Sequence, residues 1–287
     1  MGGELETTPS FEHRGYTCRR LEKSENGFNM RCIVINLATA KQRMAFMSSQ
    51  LEALSIPFQR IEAVTPSDLP NPEYRLDWNS WERPLKDTEK ACFLSHLAAW
   101  KQVANDNHCT LILEDDALLS RQTKHVFRRL ATKGAFDHVT LEVRKRKKVV
   151  AKQKISSGPS HSLLRLYQDR SGAAAYVLSP SGARKLVERS RKQTALADAM
   201  ICKSYELKSF QIEPACAVQL DRASLYGIRT EFQTESQIDV AQFGPTDKGG
   251  LQFRYRRVSA QLRMAIRRLR YAHVTECREI ELRTGAF

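Results

Sequence analysis

A short apolar run at residues 110–113 leads directly into three consecutive acids, Glu114, Asp115 and Asp116, before the chain turns apolar again. A run of this length, bounded in this way, is typical of a buried strand with the acids at its C-terminal end. In an open α/β sheet, ligands bind at that end. Because adjacent carboxylates repel one another, the pattern favours a divalent cation with a phosphorylated ligand here. The alternative is an acidic loop, or a helix N-terminus that carries acids.

The order of the remaining segments predicts an α/β fold. A strand over residues 32–36, a helix over 41–54 and a strand over 58–64 form a βαβ opening, which indicates a mostly parallel central sheet. A long irregular connection covers residues 65–87. The further predicted helices are 88–105, 123–132, 180–191 and 196–207, and the further strands are 136–141, 172–178 and 210–213.

Composition is that of an ordinary soluble protein, with 41% hydrophobic and 27% charged residues in a chain of 287. No apolar run approaches the roughly 20 residues of a transmembrane helix. Residues 1–29 are polar and lack the apolar core of a secretory signal, so we expect a disordered leader, with Met30 as an alternative start. The seven cysteines have no metal-type spacing. These features predict a cytoplasmic protein with reduced thiols.

The net charge of +14 is concentrated in two segments. Residues 144–154 contain seven basic residues and residues 251–271 contain seven arginines, and neither segment contains an acid. The rest of the chain holds 32 basic and 32 acidic residues, so an anionic partner is expected at particular places only. A nucleic-acid-binding protein is the competing class. Neither segment carries a recognisable nucleic-acid-binding motif, and we expect no specific nucleic acid.

The C-terminal segment predicts a basic amphipathic helix. Apolar side chains recur at spacings of three and four from Leu251 to Ala272, and the arginines lie off this stripe. Such a helix suits the surface of an anionic membrane through residues 251–271. The alternative is a helix docked on the core with a solvated basic face.

Several segments resemble glycosyltransferase family 25, which contains lipooligosaccharide galactosyltransferases of bacterial envelopes and collagen galactosyltransferases. The resemblance covers about residues 30–229. Thr88 and Ala91 stand where the family has glycine. The matching residues, in order, are Ile33-Val34-Ile35-Asn36-Leu37 with Arg43, then Glu89, Cys92, Ser95 and His96, then Leu113-Glu114-Asp115-Asp116, Asp137 to Glu142, Gly172 to Leu186, Asp198, and Pro214, Gln219 and Ser224.

The resemblance implies a GT-A fold, a Rossmann-like nucleotide-sugar-binding domain, over residues 30–230, followed by a linker and the basic helix over 231–287. It implies an inverting glycosyltransferase that moves a hexose, commonly galactose from UDP-galactose, to a lipooligosaccharide-type glycolipid or oligosaccharide acceptor. The implied cofactor is Mn²⁺ or Mg²⁺, and hard oxygen ligands fit either ion. The expected location is cytoplasmic, peripheral on the inner face of the bacterial inner membrane.

On this resemblance Asp116 is the predicted metal ligand. Asp198 is the predicted catalytic base, with Glu142 in reserve, although an aspartate that caps a helix is an equal alternative for Asp198. A lone histidine on a half-apolar helix is more often structural, and His96 is named on the Ser95-His96 match. A catalytically silent family member is the remaining alternative. The predicted nucleotide-sugar-binding residues are Asn36, Arg43, His96, Glu114 and Asp115.

Overall fold

A computed structural model of the chain describes residues 31–133, 135–170, 172–230, 232 and 250–287. The predicted leader at residues 1–29, the alternative start at Met30 and nearly all of the predicted linker lie outside the described residues. No helix in the described ranges combines the length and the apolar character needed to cross a bilayer.

The elements follow the predicted α/β order in the first half of the chain. The strands are β1 (Arg31–Asn36), β2 (Gln59–Glu62), β3 (Thr110–Glu114), β4 (Ala117–Leu119), β5 (His138–Thr140), β6 (Glu142–Val143), β7 (Lys148–Ser156), β8 (Ser162–Gln168), β9 (Ala175–Leu178), β10 (Ser209–Glu213), β11 (Ala217–Gln219) and β12 (Thr275–Arg278). The helices are α1 (Lys41–Ala53), α2 (Asp87–Ala104), α3 (Thr123–Lys133), α4 (Pro180–Ser190), α5 (Ala197–Lys203), α6 (Leu220–Ala223) and α7 (Leu251–Arg270).

The apolar run before the acids is β3, and helices cover both of its faces. Successive side chains of a strand point to opposite faces. Leu111 and Leu113 accordingly pack in one cluster with α1 and α3, whereas Ile112 packs in a second cluster with α2 and α4. All three side chains are fully buried, and each contributes about 1.5–3 kcal/mol through removal of apolar surface from water. Burial on both faces explains why β3 is a continuous apolar run.

The prediction of a mostly parallel sheet is wrong, because the large sheet is mixed. Within the described ranges its strand order is β12-β7-β8-β10-β5-β9-β3-β1-β2. The βαβ opening is confirmed, since β1 pairs in parallel with β2 and with β3. Strands β5 and β10 form the third parallel pairing of this sheet. The other five pairings are antiparallel. One cause is the short turn between β7 and β8, which can join only antiparallel neighbours.

The first basic segment forms part of this sheet, and five of its seven basic side chains remain exposed. The sequence did not predict the β7–β8 hairpin, because the lysines of β7 obscured its apolar residues. Lys148 is 3% exposed and its Nζ lies 2.7 Å from the carboxylate of Asp169. The Nζ of Lys154 lies 2.9 Å from the carboxylate of Glu213. Internal acids therefore neutralise part of the charge that the sequence assigned to a partner.

A second, three-stranded sheet has the order β4-β11-β6. Gln219 of β11 pairs with Ala117 of β4, directly after the acidic triplet. The backbone N–H of Leu220 donates to the carbonyl of Asp116 over 2.9 Å. This pairing fixes the end of the triplet against a segment more than a hundred residues later in the chain.

The C-terminal segment returns to the large sheet after α7. Strand β12 pairs antiparallel with β7 at the sheet edge. The guanidinium of Arg278 donates to the carboxylate of Glu213, and the backbone N–H of Ala215 donates to the carbonyl of Glu281 over 2.8 Å. Helix α7 is thus anchored by a strand that follows it, which the sequence did not predict.

Candidate active site

The C-terminal ends of β1 and β3 open into a cleft of about 1020 Å³, part of which is continuous with solvent. Its walls come from the start of α1, the segment after β2, one face of α2 and the acidic triplet. The polar and thiol side chains that line it are Arg43, Thr88, Cys92, Ser95, His96, Glu114, Asp115, Asp116 and Gln219. Five predicted site residues are therefore brought together: Arg43, His96 and the three acids.

Asp115 is held by the connection between β1 and α1. Its carboxylate accepts hydrogen bonds from the side-chain amide of Asn36 over 2.7 Å and from the guanidinium of Arg43 over 3.1 Å. The Asn36 amide also donates to the carbonyl of Ala40, and its oxygen accepts from Arg60. Burial raises the pKa of Asp115, and the bonds from Asn36 and Arg43 oppose that rise. Asn36 does not line the cleft, so it positions Asp115 from behind.

Glu114 belongs to a hydrogen-bonded chain that runs into the core. The indole N–H of Trp100 donates to the hydroxyl of Tyr176 over 2.8 Å. That hydroxyl lies 3.0 Å from Nδ1 of His96, whose Nε2 lies 3.1 Å from the carboxylate of Glu114. Because the indole can only donate, the Tyr176 hydroxyl accepts from it and can donate its own proton to Nδ1, in which case Nε2 donates to Glu114. The histidine fixes the position of this carboxylate.

Asp116 faces Gln219, because β4, which begins directly after Asp116, pairs with β11. The Gln219 amide nitrogen donates to the two Asp116 oxygens over 3.2 and 3.4 Å. Burial, together with the charges of Glu114 and Asp115, raises the pKa of Asp116 to about 7 against the opposing charge of Arg43. The amide oxygen of Gln219 is buried without a hydrogen-bond partner among the described residues. The Gln219 amide oxygen could therefore serve as a ligand at this end of the cleft.

Asp198 and Glu142 are not among the side chains that line the cleft. Asp198 lies in the first turn of α5, and its carboxylate accepts the backbone N–H of Ala199 over 2.6 Å. Burial raises the pKa of Asp198, and the Glu114 charge adds to that rise. The charge of Arg144 and the N–H groups of Ala199 and Gly172 oppose it. Asp198 therefore has the contacts of a helix-terminal acid while remaining within electrostatic reach of the triplet.

Glu142 is buried beneath Gly172. One of its oxygens accepts the backbone N–H of Ala174 over 3.1 Å, and the other has no hydrogen-bond partner in the described part of the chain. Gly172 adopts φ +126°, and a Cβ there would lie 2.4 Å from the Glu142 carboxylate. Burial raises the pKa of Glu142 to about 8, although the charges of Lys148 and Arg144 lower it.

Comparison with known proteins identifies the family. Residues 30–201, more than half of the chain, match the profile of glycosyltransferase family 25 (LPS biosynthesis protein). The chain belongs to glycosyltransferase family 25. The match contains both β1 and the acidic triplet, so the cleft described above is built largely from the family's own segment.

Three relatives of this chain illustrate the range of the family. The lacto-N-neotetraose biosynthesis glycosyltransferase LgtE of Neisseria meningitidis is 30% identical over 54% of this chain and 59% of its own length. The lipooligosaccharide biosynthesis protein lic2B of Haemophilus influenzae is 24% identical over 71% of this chain and 81% of its own. The human procollagen galactosyltransferase 2 is 30% identical over 54% of this chain and 23% of its own. The match thus spans less than two thirds of LgtE.

A divalent cation fits two parts of this family 25 cleft. Asp116, Glu114 and the unpartnered oxygen of Gln219 supply the hard oxygen ligands that Mn²⁺ and Mg²⁺ prefer. The ligand atoms of Cys92, His96 and Glu114 also lie within 4.8 Å of one another. Sulfur and imidazole suit softer ions, and His96 already holds Glu114. A positive ion beside the triplet would relieve the repulsion among the three adjacent carboxylates, which burial strengthens.

The sequence indicated the acids but not all of their partners. Gln219 matched the closing segment of family 25 without an assigned role, and only the pairing of β4 with β11 reveals its contact with Asp116. Ser95 also matched, and its hydroxyl accepts the backbone N–H of Val64 over 2.9 Å and so fixes the wall of the cleft. Tyr176, within the matching range from Gly172 to Leu186, is fully buried and lies within hydrogen-bond distance of His96.

Proposed function

We propose that this chain transfers a hexose from a nucleotide sugar to the glycan of a lipooligosaccharide-type acceptor, with inversion at the anomeric carbon. The observation that carries the proposal is the acidic cleft at the C-terminal ends of β1 and β3 in a chain of this family. Ligands of open α/β sheets bind at such an edge. About 310 Å³ of the cleft is open to the centres of water-sized molecules, a volume within the range of roughly 300–1,000 Å³ that ligand pockets have.

The proposal includes a GT-A fold and UDP-galactose as donor. Support for the fold comes from the Rossmann-like order β1-α1-β2 followed by α2 and β3, with the acids at the end of β3. Support for galactose comes from the similarity to procollagen galactosyltransferase 2. Support for a lipooligosaccharide acceptor comes from the similarity to LgtE and lic2B, whose names refer to lacto-N-neotetraose and lipooligosaccharide biosynthesis.

The proposed metal ligands are Asp116 and Glu114, with the amide oxygen of Gln219 beside them. Mn²⁺ or Mg²⁺ bound there would stabilise the negative charge of the departing nucleoside diphosphate. In this scheme the chain holds each carboxylate by its own partner: His96 holds Glu114, Gln219 holds Asp116, and Asn36 and Arg43 hold Asp115. Such fixed orientation avoids reorganisation when charge develops.

Arg43 and His96 are proposed to contact the donor as well. Arg43 lines the cleft beside Asp115, where its guanidinium places positive charge next to the site of an anionic ligand. A guanidinium matches phosphate geometry with paired N–H donors. His96 lines the cleft, although its two nitrogens are occupied by Tyr176 and Glu114.

Asp198 is proposed as the base that takes the acceptor hydroxyl proton. Burial raises the pKa of Asp198 toward neutral pH, and a carboxylate with a higher pKa accepts a proton more readily as long as it is ionised. Glu142, with a pKa of about 8, is protonated at neutral pH and covered by Gly172, so it remains the reserve. Asp198 would have to exchange a backbone hydrogen bond for the acceptor hydroxyl, which a helix-terminal acid can do by a rotamer change.

The test is release of UDP from UDP-galactose in the presence of Mn²⁺ and truncated lipooligosaccharide. Wild-type turnover that depends on the metal and on the acceptor supports the proposal. Asp198→Asn should reduce turnover by about 10²–10⁴-fold if this residue is the base. Asp221→Asn, a partly exposed acid of α6, is the matched control and should retain activity. Absence of turnover with any nucleotide sugar would favour the catalytically silent alternative.

A further inference from the structure

Helix α7 turns its apolar stripe toward solvent. The six apolar side chains of the stripe are between 55% and 81% exposed. In a docked amphipathic helix the apolar face is the one that meets the core, and α7 has the opposite orientation. This stripe, called the α7 face below, consists of Leu251, Tyr255, Val258, Leu262, Ile266 and Leu269.

The opposite side of α7 holds it to the protein. Ala260 on that side is 4% exposed. The Arg256 guanidinium donates to the carbonyl of Asn79, and Nε of Arg267 donates to the carbonyl of Tyr167 over 2.9 Å. The Arg267 guanidinium also lies 4.5 Å from the ring centre of Tyr205. These contacts lie half a turn from the α7 face, so they fix which side looks outward.

Exposed arginines flank the α7 face on both sides. At 100° per residue, Arg254, Arg257 and Arg268 lie along one flank, and Arg263 and Arg270 lie along the other. All five are exposed, and residues 251–271 contain no acid that could neutralise them. An apolar strip between two basic rims matches an anionic bilayer surface, where acyl chains lie beneath negatively charged headgroups.

We propose that α7 docks the protein on an anionic lipid surface, with the α7 face at the boundary of headgroups and acyl chains and the arginine rims on the phosphates. A second copy of the chain is a poorer occupant, because a symmetric pairing of α7 faces would bring like-charged rims together. The proposal does not depend on the donor or on the acid cleft.

The experiment is sedimentation of the full chain with vesicles of phosphatidylcholine containing about one third phosphatidylglycerol, compared with pure phosphatidylcholine vesicles. We expect binding to the anionic vesicles, weaker binding at higher salt, and little binding to the neutral ones. Deletion of residues 251–287 is unsuitable because it would also remove β12 from the sheet. Point variants on exposed positions avoid that problem.

The decisive variant is Leu262→Glu/Ile266→Glu, which should lower vesicle partitioning by about tenfold or more, because it removes buried apolar area and adds repelled charge. Its matched control is Gln252→Glu/Gln261→Glu, which makes the same charge change on exposed polar positions of α7 and should lower partitioning less. A charge variant, Arg257→Gln/Arg268→Gln, should weaken binding and reduce its salt dependence.

Three results would overturn the proposal. They are equal binding to neutral and anionic vesicles, equal losses in the decisive and control variants, and a dimer in vesicle-free solution that Leu262→Glu/Ile266→Glu dissociates. Hydrolysis of the nucleotide sugar in solution should be unchanged in all three variants. Loss of vesicle binding with intact hydrolysis, or intact binding without any turnover, separates this proposal from the proposed enzymatic function.

Discussion

The acid cleft and the α7 face concentrate charge in opposite ways. In the cleft, partly or fully buried carboxylates are each held by a partner from another element, and Asp116 and Gln219 are 103 positions apart. On α7, exposed arginines and apolar side chains all come from 20 consecutive residues. Burial of the carboxylates costs free energy unless each one has a partner, so the cleft requires specific residues. Substitutions on the exposed α7 face should affect stability much less. The side chains of the cleft are brought together by tertiary structure, whereas the α7 face is encoded by one continuous segment of the chain.

The largest effect is expected from Asp116→Asn in the cleft. Loss of the charged ligand should reduce metal-dependent turnover by about 100-fold or more, since preorganised charge stabilisation is worth that much. Vesicle binding should not change, which keeps the two regions independent. UDP release and sedimentation measure the two properties, and Glu188→Gln on the exposed end of α4 is the control. Retained turnover in Asp116→Asn would contradict its role as metal ligand.

The next effect is a pH dependence of stability that originates in buried Glu142. Its pKa is about 8 in the folded protein and lower when unfolded, so the folded state binds the proton more tightly. The sign is therefore a stability that is greatest below the unfolded pKa and is lost as pH rises toward 8. The loss can reach about 1.4 kcal/mol per pH unit within that window.

Urea unfolding at pH 5 and pH 8 measures this dependence. Glu142→Gln keeps an oxygen for the Ala174 N–H but cannot ionise, so it should remove most of the loss. Arg268→Gln on the exposed flank of α7 should leave the dependence unchanged. A pH dependence that persists in Glu142→Gln would assign it to titratable groups other than Glu142.

A smaller effect is expected for the hydroxyl of Tyr176. Tyr176→Phe leaves the indole of Trp100 and the ring of His96 without a shared partner, at a cost of about 1–3 kcal/mol in the free energy of unfolding. Tyr255→Phe on the α7 face removes a hydroxyl from an exposed ring and should change that free energy by less than about 0.5 kcal/mol. Thermal unfolding of both variants compares a buried with an exposed hydroxyl, and equal shifts would contradict the contrast.

The smallest effect is expected for Arg267→Ala, which loosens α7. The loss of the bond to Tyr167 and of the contact with the Tyr205 ring should cost about 1 kcal/mol or less. Amide exchange should accelerate within α7 and not in β3. Arg257→Ala, on an exposed flank, is the control. Acceleration throughout the sheet would indicate that α7 and the cleft are coupled after all.

The sequence predicted features that depend on local pattern. The βαβ opening, the strand before the acids and the period of α7 are set by spacing within a few residues, and the structure has them all. Family resemblance then indicated which acids to inspect. These predictions required no knowledge of pairing across the sheet.

Pairing and direction could not be predicted in the same way. The charges of β7 suggested a surface patch, yet Lys148 is buried beside Asp169, which directly follows the neighbouring strand β8. The antiparallel insertion of β9 between β3 and β5 depends on register over long separations. The apolar stripe of α7 was evident from its period, but the period does not say whether it faces the core or solvent.

The pairing of β4 with β11 also has a consequence for biosynthesis. Asp116 leaves the ribosome about 100 residues ahead of Gln219, which is roughly 5–20 s at the usual speed of translation. Strand β10, which fills the interior position between β5 and β8, emerges only shortly before. During that interval the nascent chain carries an acidic strand end with one of its walls missing. We expect the final closure of the sheet, rather than formation of the early βαβ unit, to determine when a nascent chain has a complete cleft.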